Sequence, residues 1–371
     1  MTVKRKTRAK PDFALLLAVV ILVIFGLIMI YSATITWEDP GLYVKRQAVR
    51  AVLGFVCLAL ATRVDYHIWR RWAVPIMGLS LVLLVAVLMT GQEGARSWFR
   101  EGSLQPSELA KLAFIIYIAA WLDSKGDKIR DMTYGLVPFS ILLAVVAGLV
   151  MAEPDLGTAI LIMVTAGSQF SFEGAEMSQI LLALALGVPV VAYLITRHAY
   201  LRDRILVFLD PSRDPQDAGF HVRGILEALK KGGLTGCGLG AGSQKLLQPY
   251  VHHTDTIFSV IGEELGLIGC MLVIGLFMFV AYRGLVVSFR ARDRFGTLLA
   301  VGVTGWIVFQ AVVHMAGNSG TLPFTGITMP FVSYGGSSLV MCLAGVGVLL
   351  SISRTETRRK RRTSATYAIG R

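Results

Sequence analysis

Residues 13–33 read FALLLAVVILVIFGLIMIYSA, a run of 21 residues without one charged side chain. An apolar helix of about 20 residues is long enough to cross the hydrocarbon core of a bilayer. The basic stretch Lys4–Lys10 before it imitates a secretory signal, but the length of the run and the lack of an A-x-A cleavage site favour a retained helix. This stretch therefore predicts a membrane-spanning helix near the start of the chain.

The rest of the chain repeats this pattern. Of the 371 residues, 54% are hydrophobic and 16% are charged, whereas soluble domains carry roughly 25% charged residues. The four cysteines lie far apart, which predicts neither a disulfide framework nor a zinc site. We expect an all-α integral membrane protein of about ten transmembrane helices, forming one polytopic domain over 1–371. The nine further apolar runs are 47–62, 73–90, 109–122, 134–152, 156–172, 178–196, 256–282, 297–316 and 330–352.

The positive charge of the chain indicates its orientation. If the N-terminus is cytoplasmic, the inner segments hold 22 of the 36 Lys and Arg residues, as the positive-inside rule requires. The net charge of +12 could indicate nucleic acid, but Arg358–Arg362 in the tail 353–371 is better interpreted as an anchor to anionic membrane lipid. We predict both termini in the cytoplasm and no nucleic-acid partner.

One connection is much longer than the others. Residues 197–254, between the seventh and eighth predicted helices, fall on the outer face and contain an apolar, helix-like stretch at 221–229 and a glycine-rich run at 232–243. Loops of this length are usually functional or disordered. The apolar content and the glycines favour an ordered re-entrant or interfacial element. The glycines do not fit a dinucleotide-binding fingerprint.

Ionisable residues recur at the outer ends of the predicted helices, where burial is costly and function is the default interpretation. Glu108 and Lys111 share one face of a helix, Asp155 follows Glu153 on a tight turn, and Asp255 precedes the eighth helix. A carboxylate partly desolvated there gains a pKa suited to a general base. The plainer alternatives are a structural Glu108–Lys111 ion pair and helix caps formed by Asp155 and Asp255.

The entry to the tenth helix is also irregular. Residues 329–338 read MPFVSYGGSS, in which proline and adjacent glycines predict a broken helix end. Such backbone is tolerated at membrane depth only where protein or water satisfies its polar groups. The outer ends of the fourth, sixth, eighth and tenth helices all carry polar residues, which predicts a shared outward cavity.

These stretches, taken together and in order, resemble the SEDS family (shape, elongation, division and sporulation), the RodA/FtsW peptidoglycan polymerases. The matching pieces cover nearly the whole chain. They are YSAT (31–34), YVKRQ (43–47), GARSW (94–98), QPSELAKLA (105–113), EPDLGTA (153–159), LDPSRDPQDAG (209–219), GGLTGCGLG (232–240), HTDTIFSVIGEELGLIG (253–269) and LPFTGITMPFVSYGGSS (322–338).

The resemblance implies a multi-pass glycosyltransferase of the bacterial cytoplasmic membrane that polymerises lipid II on its outer face. A class B penicillin-binding protein is the implied partner, and a divalent cation (Mg or Mn) is the only cofactor considered. Asp255, in the HTD motif, falls on the family's essential aspartate. The implied substrate-binding residues are Arg96, Trp98, Glu108, Lys111, Asp155, His253, Thr254, Ser333 and Tyr334.

The chain departs from the family pattern at three positions. Tyr250 replaces a glutamate, Thr256 replaces a phenylalanine, and His314 stands where members usually carry an asparagine. The HTD core is intact. Two other functions fit a polar helical bundle, namely a lipid II flippase and a non-catalytic scaffold for cell division or elongation. The branch of the family also stays open at this point.

Overall fold

The structure is a computed structural model, and it describes residues 10–35, 39–90, 105–153, 155–197, 199–210, 218–242 and 254–355. Within these ranges the chain is helical and contains no strand. The α-helices are α1 (Phe13–Thr34), α2 (Pro40–Arg63), α3 (His67–Thr90), α4 (Pro106–Lys125), α5 (Val137–Ala152), α6 (Leu156–Phe172), α7 (Met177–Arg197), α8 (Ala199–Leu209), α9 (Ala218–Gly232), α10 (Ile257–Arg290), α11 (Arg294–Asn318) and α12 (Gly336–Arg354).

The predicted apolar runs correspond to helices α1–α7 and α10–α12. Seven helical segments among the described residues are long and apolar enough to cross a membrane, namely α1, α3, α7, α10, α11, α12 and the segment Met132–Ala152, in which a π-helical turn (Met132–Leu136) continues into α5. Helix α6 is apolar but has 17 residues, and α2 and α4 carry four charged residues each. The all-α integral membrane fold is confirmed. The count of about ten spans and the orientation stay predictions.

Helix α4 tolerates its charges because protein surrounds it. Most of its residues are buried, since it packs against α3, α6 and α11. Its first turn begins with Pro106, where the missing N–H costs no hydrogen bond. The chain can therefore place ionisable side chains at the start of α4 without exposing them to lipid.

Helix α10 is broken near one end. Its 34 residues would span about 51 Å if they were straight, which exceeds the thickness of the hydrocarbon core. Gly266 interrupts the helix with φ 65° and ψ −162°, a backbone conformation that is open essentially to glycine. The break separates a short segment next to Asp255 from a longer span.

The glycine-rich run 232–242 supplies the hydrogen bonds that this break removes. The N–H groups of Cys237 and Gly238 donate to the carbonyls of Glu263 and Glu264, both at 3.0 Å. The N–H of Leu267 in turn donates to the Gly233 carbonyl at 2.9 Å. Backbone polar groups at membrane depth need such partners. The run is therefore an ordered element, as predicted, and the helix-like stretch 221–229 lies within α9.

The segment between α11 and α12 is not helical up to Gly336, which confirms the irregular entry to the last helix. Phe331 has a positive φ of 66°. A Cβ atom on Gly26 would lie 2.7 Å from the Cα of Val332, so only glycine lets α1 approach the segment this closely. The segment is held against the bundle and supports the site described below.

Candidate active site

Asp255 precedes α10 but does not cap it. Thr256 occupies the cap position, and no side chain caps the helix. Instead, the backbone carbonyl of Asp255 accepts a hydrogen bond from Asn318 Nδ2 at 3.0 Å. A Cβ atom on Gly326 would lie 3.6 Å from Asp255 Oδ2. The alternative that this aspartate is only a helix cap is therefore wrong.

Arg204 of α8 faces the same glycine. Its Nη2 lies 3.6 Å from the position of a Gly326 Cβ, and its Nη1 donates a hydrogen bond of 3.1 Å to the Phe324 carbonyl. Arg204 is not among the residues that the sequence predicts for the site, because no role is predicted for the first part of the long loop. The signal was an arginine within an apolar stretch, in the segment that leads to LDPSRDPQDAG.

The surroundings of Asp255 make its carboxyl group weakly acidic. Burial raises its pKa from 3.8 to about 7, and the negative charge of Asp155 acts in the same direction. The positive charge of Arg204 and a hydrogen bond from Thr254 oppose this rise. Part of the Asp255 surface stays accessible to solvent even though protein atoms enclose its carboxylate. Such a group can accept a proton near neutral pH.

Two more carboxyl groups lie on the turn between α5 and α6. Asp155 Oδ1 accepts the Thr158 N–H at 2.9 Å, which confirms that Asp155 caps α6. Gln105 Nε2 lies 3.5 Å from its other oxygen. Glu153 is buried, and neither of its carboxylate oxygens has a hydrogen-bond partner among the described residues. Burial, with the charge of Asp155, raises the pKa of Glu153 to about 8.

Glu108 and Lys111 form the ion pair that their spacing predicts. Lys111 Nζ lies 2.8 Å from Glu108 Oε1, and both side chains are buried. Lys111 also donates to Gln310 Oε1 at 3.1 Å, and the same oxygen accepts the Trp306 indole N–H at 2.8 Å. Gln310 was missed because it lies in the middle of an apolar run, without a neighbouring polar motif.

The segment between α11 and α12 and the start of α12 connect the contacts of Lys111 and Gln310 with those of Gln105 and Asp155. Gln310 Nε2 donates to the Thr328 carbonyl at 2.9 Å, and Thr328 Oγ1 donates to Ser338 Oγ at 3.0 Å. The N–H of Gln105 donates to Ser337 Oγ at 3.2 Å. The beginnings of α4, α6 and α12 and the end of α11 therefore meet at one end of the bundle.

Ser333 and Tyr334 lie on another side of this segment, towards α2. Ser333 Oγ accepts the Met329 N–H at 2.8 Å, and Gln47 Nε2 donates to the Ser333 carbonyl at 3.1 Å. The Tyr334 ring packs edge-on against Tyr43, with centroids 5.8 Å apart. The structure thus gives these residues local contacts, and their binding of substrate stays a prediction.

The other residues that the sequence singles out are of two kinds, those outside the described residues and those with contacts near Asp255. Arg96, Trp98 and His253 lie outside the described residues. Thr254 hydrogen-bonds to the Asp255 side chain. His314 is buried, and its Nδ1 donates to the Ile327 carbonyl at 2.7 Å. The histidine that departs from the family pattern thus supports the backbone next to Gly326.

A metal site is not evident in the part of the chain that the structure describes. There, no three His, Cys, Asp or Glu side chains form a group that could hold an ion. Asp155 and Asp255 influence each other electrostatically, but two carboxylates alone make an incomplete coordination shell. The divalent cation therefore stays a prediction.

These features define a polytopic helical membrane protein with a group of buried polar and ionisable residues at one end of its bundle. The sequence profile of the cell cycle protein family FtsW/RodA/SpoVE matches residues 13–358. The chain belongs to this family, the SEDS family, and is a multi-pass protein of the bacterial inner membrane.

Named relatives and solved structures agree with this assignment. The chain is 40% identical over 356 residues to the probable peptidoglycan glycosyltransferase FtsW of Trichlorobacter lovleyi, covering 93% of each chain. It is 36% identical to stage V sporulation protein E of Bacillus subtilis, covering 95% of this chain and 99% of that one.

Two solved structures share the fold. One is a chain from a peptidoglycan synthase complex that coordinates polymerization and crosslinking, with a TM-score of 0.80, 30% identity and coverage of 94% and 99%. The other is the rod shape determining protein RodA of Thermus thermophilus, with a TM-score of 0.70, 27% identity and coverage of 94% and 98%.

Proposed function

We propose that the chain, a peptidoglycan glycosyltransferase by its family and relatives, polymerises lipid II into β-1,4 glycan strands on the outer face of the membrane, with Asp255 as general base. The names of its relatives support the activity. The observation that carries the role of Asp255 is its position beside Arg204 and Gly326, where burial raises its pKa to about 7.

The reaction forms one bond and breaks one. The 4-hydroxyl oxygen of an N-acetylglucosamine attacks the anomeric carbon of a second lipid-linked sugar, and the bond from that carbon to undecaprenyl diphosphate breaks. The hydroxyl proton passes to the Asp255 carboxylate, and the electron pair leaves with the diphosphate. Because an α-linked donor gives a β-1,4 product, a single displacement with one carboxylate base is sufficient, by analogy with inverting hydrolysis.

Positive charge is needed where the diphosphate leaves. Arg96, which the GAR-x-W motif contributes, is the residue we assign to this role, with Lys111 or a divalent ion as alternatives. The charge of Lys111 is already paired with Glu108 at 2.8 Å, which favours Arg96 over Lys111. Trp98 would provide an apolar surface for the substrate beside that charge.

The partner we propose is a class B penicillin-binding protein, which would crosslink the glycan product. A chain of similar fold belongs to a peptidoglycan synthase complex that coordinates polymerization and crosslinking, which supports a shared assembly. The crosslinking step itself would not involve residues of this chain.

The flippase alternative predicts polar groups along a path through the bundle. The polar contacts of Gln105, Asp155, Gln310 and Thr328 converge at the ends of α4, α6 and α12 and at the segment after α11. At the other end of α6, Gln169 donates to the carbonyls of Ile115 and Leu298 and so joins neighbouring helices. The convergence at one end of the bundle supports a reaction at one membrane face rather than transport across the membrane.

The decisive experiment combines purified protein with labelled lipid II and its synthase partner. We expect wild type to form glycan and Asp255→Asn to lose polymerisation by about 10²-fold or more, as is typical when a general base is removed. Asp203→Asn is the matched control, because its side chain is 61% exposed on α8. Lipid II transfer between leaflets is scored separately. Glycan synthesis by Asp255→Asn at the wild-type rate would refute the assignment.

A further inference from the structure

A hydrogen bond to a backbone carbonyl positions Arg204 near Asp255. Its Nη1 donates to the Phe324 carbonyl at 3.1 Å, and Phe324 lies two residues before Gly326 in the non-helical segment between α11 and α12. Since α8 packs against α9 and α9 packs against α10, the arginine also links the long loop to the helix that follows Asp255. The guanidinium is thus fixed at the site by elements from two parts of the chain.

Gly326 presents backbone without a side chain to both charged groups. It has a positive φ of 68°, which favours glycine. A Cβ atom there would lie 3.6 Å from Asp255 Oδ2 and 3.6 Å from Arg204 Nη2. The carboxylate and the guanidinium therefore both lie against the bare backbone of Gly326, close enough for the charge of Arg204 to act on Asp255.

Among the residues that the structure describes, the other groups that face Asp255 do not supply positive charge. Asp155, on the turn before α6, is an acid and raises the pKa of Asp255. Asn318 of α11 donates an amide N–H to its backbone, and Thr254 contributes a hydrogen bond. His314 of α11 uses Nδ1 for the Ile327 carbonyl and places Nε2 3.4 Å from the Asn318 amide.

A cation in this position cannot also serve the leaving group. In a single displacement the base and the departing diphosphate lie on opposite sides of the reacting carbon. A guanidinium next to the base is therefore on the side of the attacking hydroxyl. It acts on the base and not on the diphosphate.

We infer that Arg204 is a positioning residue that keeps Asp255 ionised and oriented towards the acceptor hydroxyl, an inference that rests on the proposed function. Arginine suits this role because it stays charged at every physiological pH and its planar fork can bind a backbone carbonyl while facing a carboxylate. Without it, only the hydrogen bond from Thr254 would oppose the effects of burial and Asp155 on the pKa of Asp255.

The test is the pH dependence of glycan polymerisation by Arg204→Gln. An opposite charge at close range lowers a carboxyl pKa by about one to three units. The acid limb is the part of the pH–rate profile in which the rate falls as Asp255 becomes protonated. We therefore expect the acid limb of Arg204→Gln to move to higher pH by about one unit or more. At alkaline pH its polymerisation rate should approach the wild-type plateau. Arg204→Lys, which keeps the charge but not the fork, should fall between the two.

Arg202→Gln is the matched control on the same helix, because Arg202 is 57% exposed and lies 3.7 Å from Asp203. It should leave the acid limb in place. A uniform loss of rate by Arg204→Gln at every pH would overturn the inference in favour of a structural role. An increase in KM for lipid II without a shifted limb would overturn it in favour of substrate contact.

The failure of this inference is distinguishable from the failure of the proposed function. If Asp255→Asn still polymerises, the choice of base is wrong. If Asp255→Asn is inactive but the limb of Arg204→Gln is unshifted, only the role of Arg204 is wrong. Should Arg204→Gln fail to fold, as judged by its thermal unfolding, the limb of the neutral variant Arg204→Met decides, and an unshifted limb in that variant contradicts the inference.

Discussion

The side-chain amide of Asn318, the last residue of α11, donates a hydrogen bond of 3.0 Å to the backbone carbonyl of Asp255. The same amide donates to the His314 carbonyl, also at 3.0 Å. The proposed base is therefore positioned by a helix more than fifty residues further along the chain. Its geometry depends on how α11 ends as well as on the HTD motif.

Replacing Asn318 should separate positioning from chemistry. We expect Asn318→Ala to lower the polymerisation rate, because the loop of Asp255 loses its anchor, and to lower the free energy of unfolding by about 1–3 kcal/mol for the two lost hydrogen bonds. Ser319→Ala is the control, since its exposed hydroxyl bonds only within its own turn. An Asn318→Ala protein with the wild-type rate would show that the anchor is dispensable.

The rate of polymerisation by wild type should depend on pH through Asp255. A base acts in its deprotonated form, so activity should fall as the pH decreases through the pKa of about 7, far above the ordinary value of 3.8. The measurement is the initial rate with labelled lipid II from about pH 5 to about pH 9. A rate that stays constant across this pH range, as expected for an aspartate with its ordinary pKa of 3.8, would contradict the environment of Asp255.

The raised pKa of Glu153 predicts that the free energy of unfolding falls as the pH rises, whereas the rate of polymerisation is expected to increase with pH. Its pKa in the folded chain, about 8, exceeds its ordinary value of 4.5, so the folded state holds this proton more tightly than the unfolded state. Its contribution to stability is fully present below about pH 4.5 and is lost as the pH rises to about 8.

Glu153→Gln removes this dependence because an amide keeps the shape of the acid without titrating. We expect the variant to unfold at a higher temperature than wild type at pH 8, with the difference shrinking in acid. Glu227→Gln, at an exposed position of α9, should show no such pattern. If wild type and Glu153→Gln have equal melting temperatures at pH 8 as well as in acid, the prediction is wrong.

The buried pair of Glu108 and Lys111 should behave as one unit. Lys111→Met leaves the carboxylate buried without its cation, which typically costs about 3–5 kcal/mol, whereas replacing both charges by apolar or neutral groups is often close to neutral. We expect the double variant Glu108→Gln/Lys111→Met to recover most of the thermal stability that Lys111→Met loses. Additive losses in this double-mutant cycle would show that the two residues do not depend on each other.

The double variant also tests whether the pair has a part in the chemistry. A folded double variant with normal polymerisation would mean that Glu108 and Lys111 only hold α4 against α11 through Gln310. A folded but inactive one would support their predicted contact with the substrate. Stability and rate, measured on the same protein, separate the two roles.

Much of the fold could be predicted because apolar runs, and the polar residues at the ends of these runs, are local properties of the sequence. The run at 13–33 corresponds to α1, which extends over Phe13–Thr34, and 156–172 corresponds to α6. The run at 330–352 begins as a helix only at Gly336, because Pro330 and the adjacent glycines oppose helix formation. Composition fixes the class of fold, and prolines and glycines decide where helices begin.

The candidate site could be predicted in part. Glu108 and Lys111 share a helix face, and Asp155 sits at a helix start, so spacing alone reveals their pairing and capping. Arg204 and Asn318 could not be found in this way, because their contacts with Asp255 and its turn join residues that are more than fifty positions apart. Long-range contacts of this kind depend on how helices pack, which a single sequence does not show.

The contact between α9 and α10 offers the sharpest test of the ordered long loop. A Cβ atom on Gly232 would lie 1.8 Å from the Gly262 carbonyl oxygen, and that contact is with backbone, which cannot rotate away. Gly232→Ala must therefore push α9 from α10, and overpacking of this kind typically costs about 1–3 kcal/mol. Since α8 packs against α9, the displacement should reach Arg204 and lower the rate of polymerisation as well as the melting temperature.

Gly187→Ala in α7 makes the same chemical change where a Cβ atom would meet nothing within 4 Å. Alanine is favoured over glycine in a helix interior by about 1 kcal/mol, so this control should melt at the same temperature as wild type or slightly above it. If Gly232→Ala polymerises and melts like Gly187→Ala, α9 does not rest on α10 in the working protein. In that case the link from the long loop to Asp255 would have to run through the Arg204 contact with Phe324 alone.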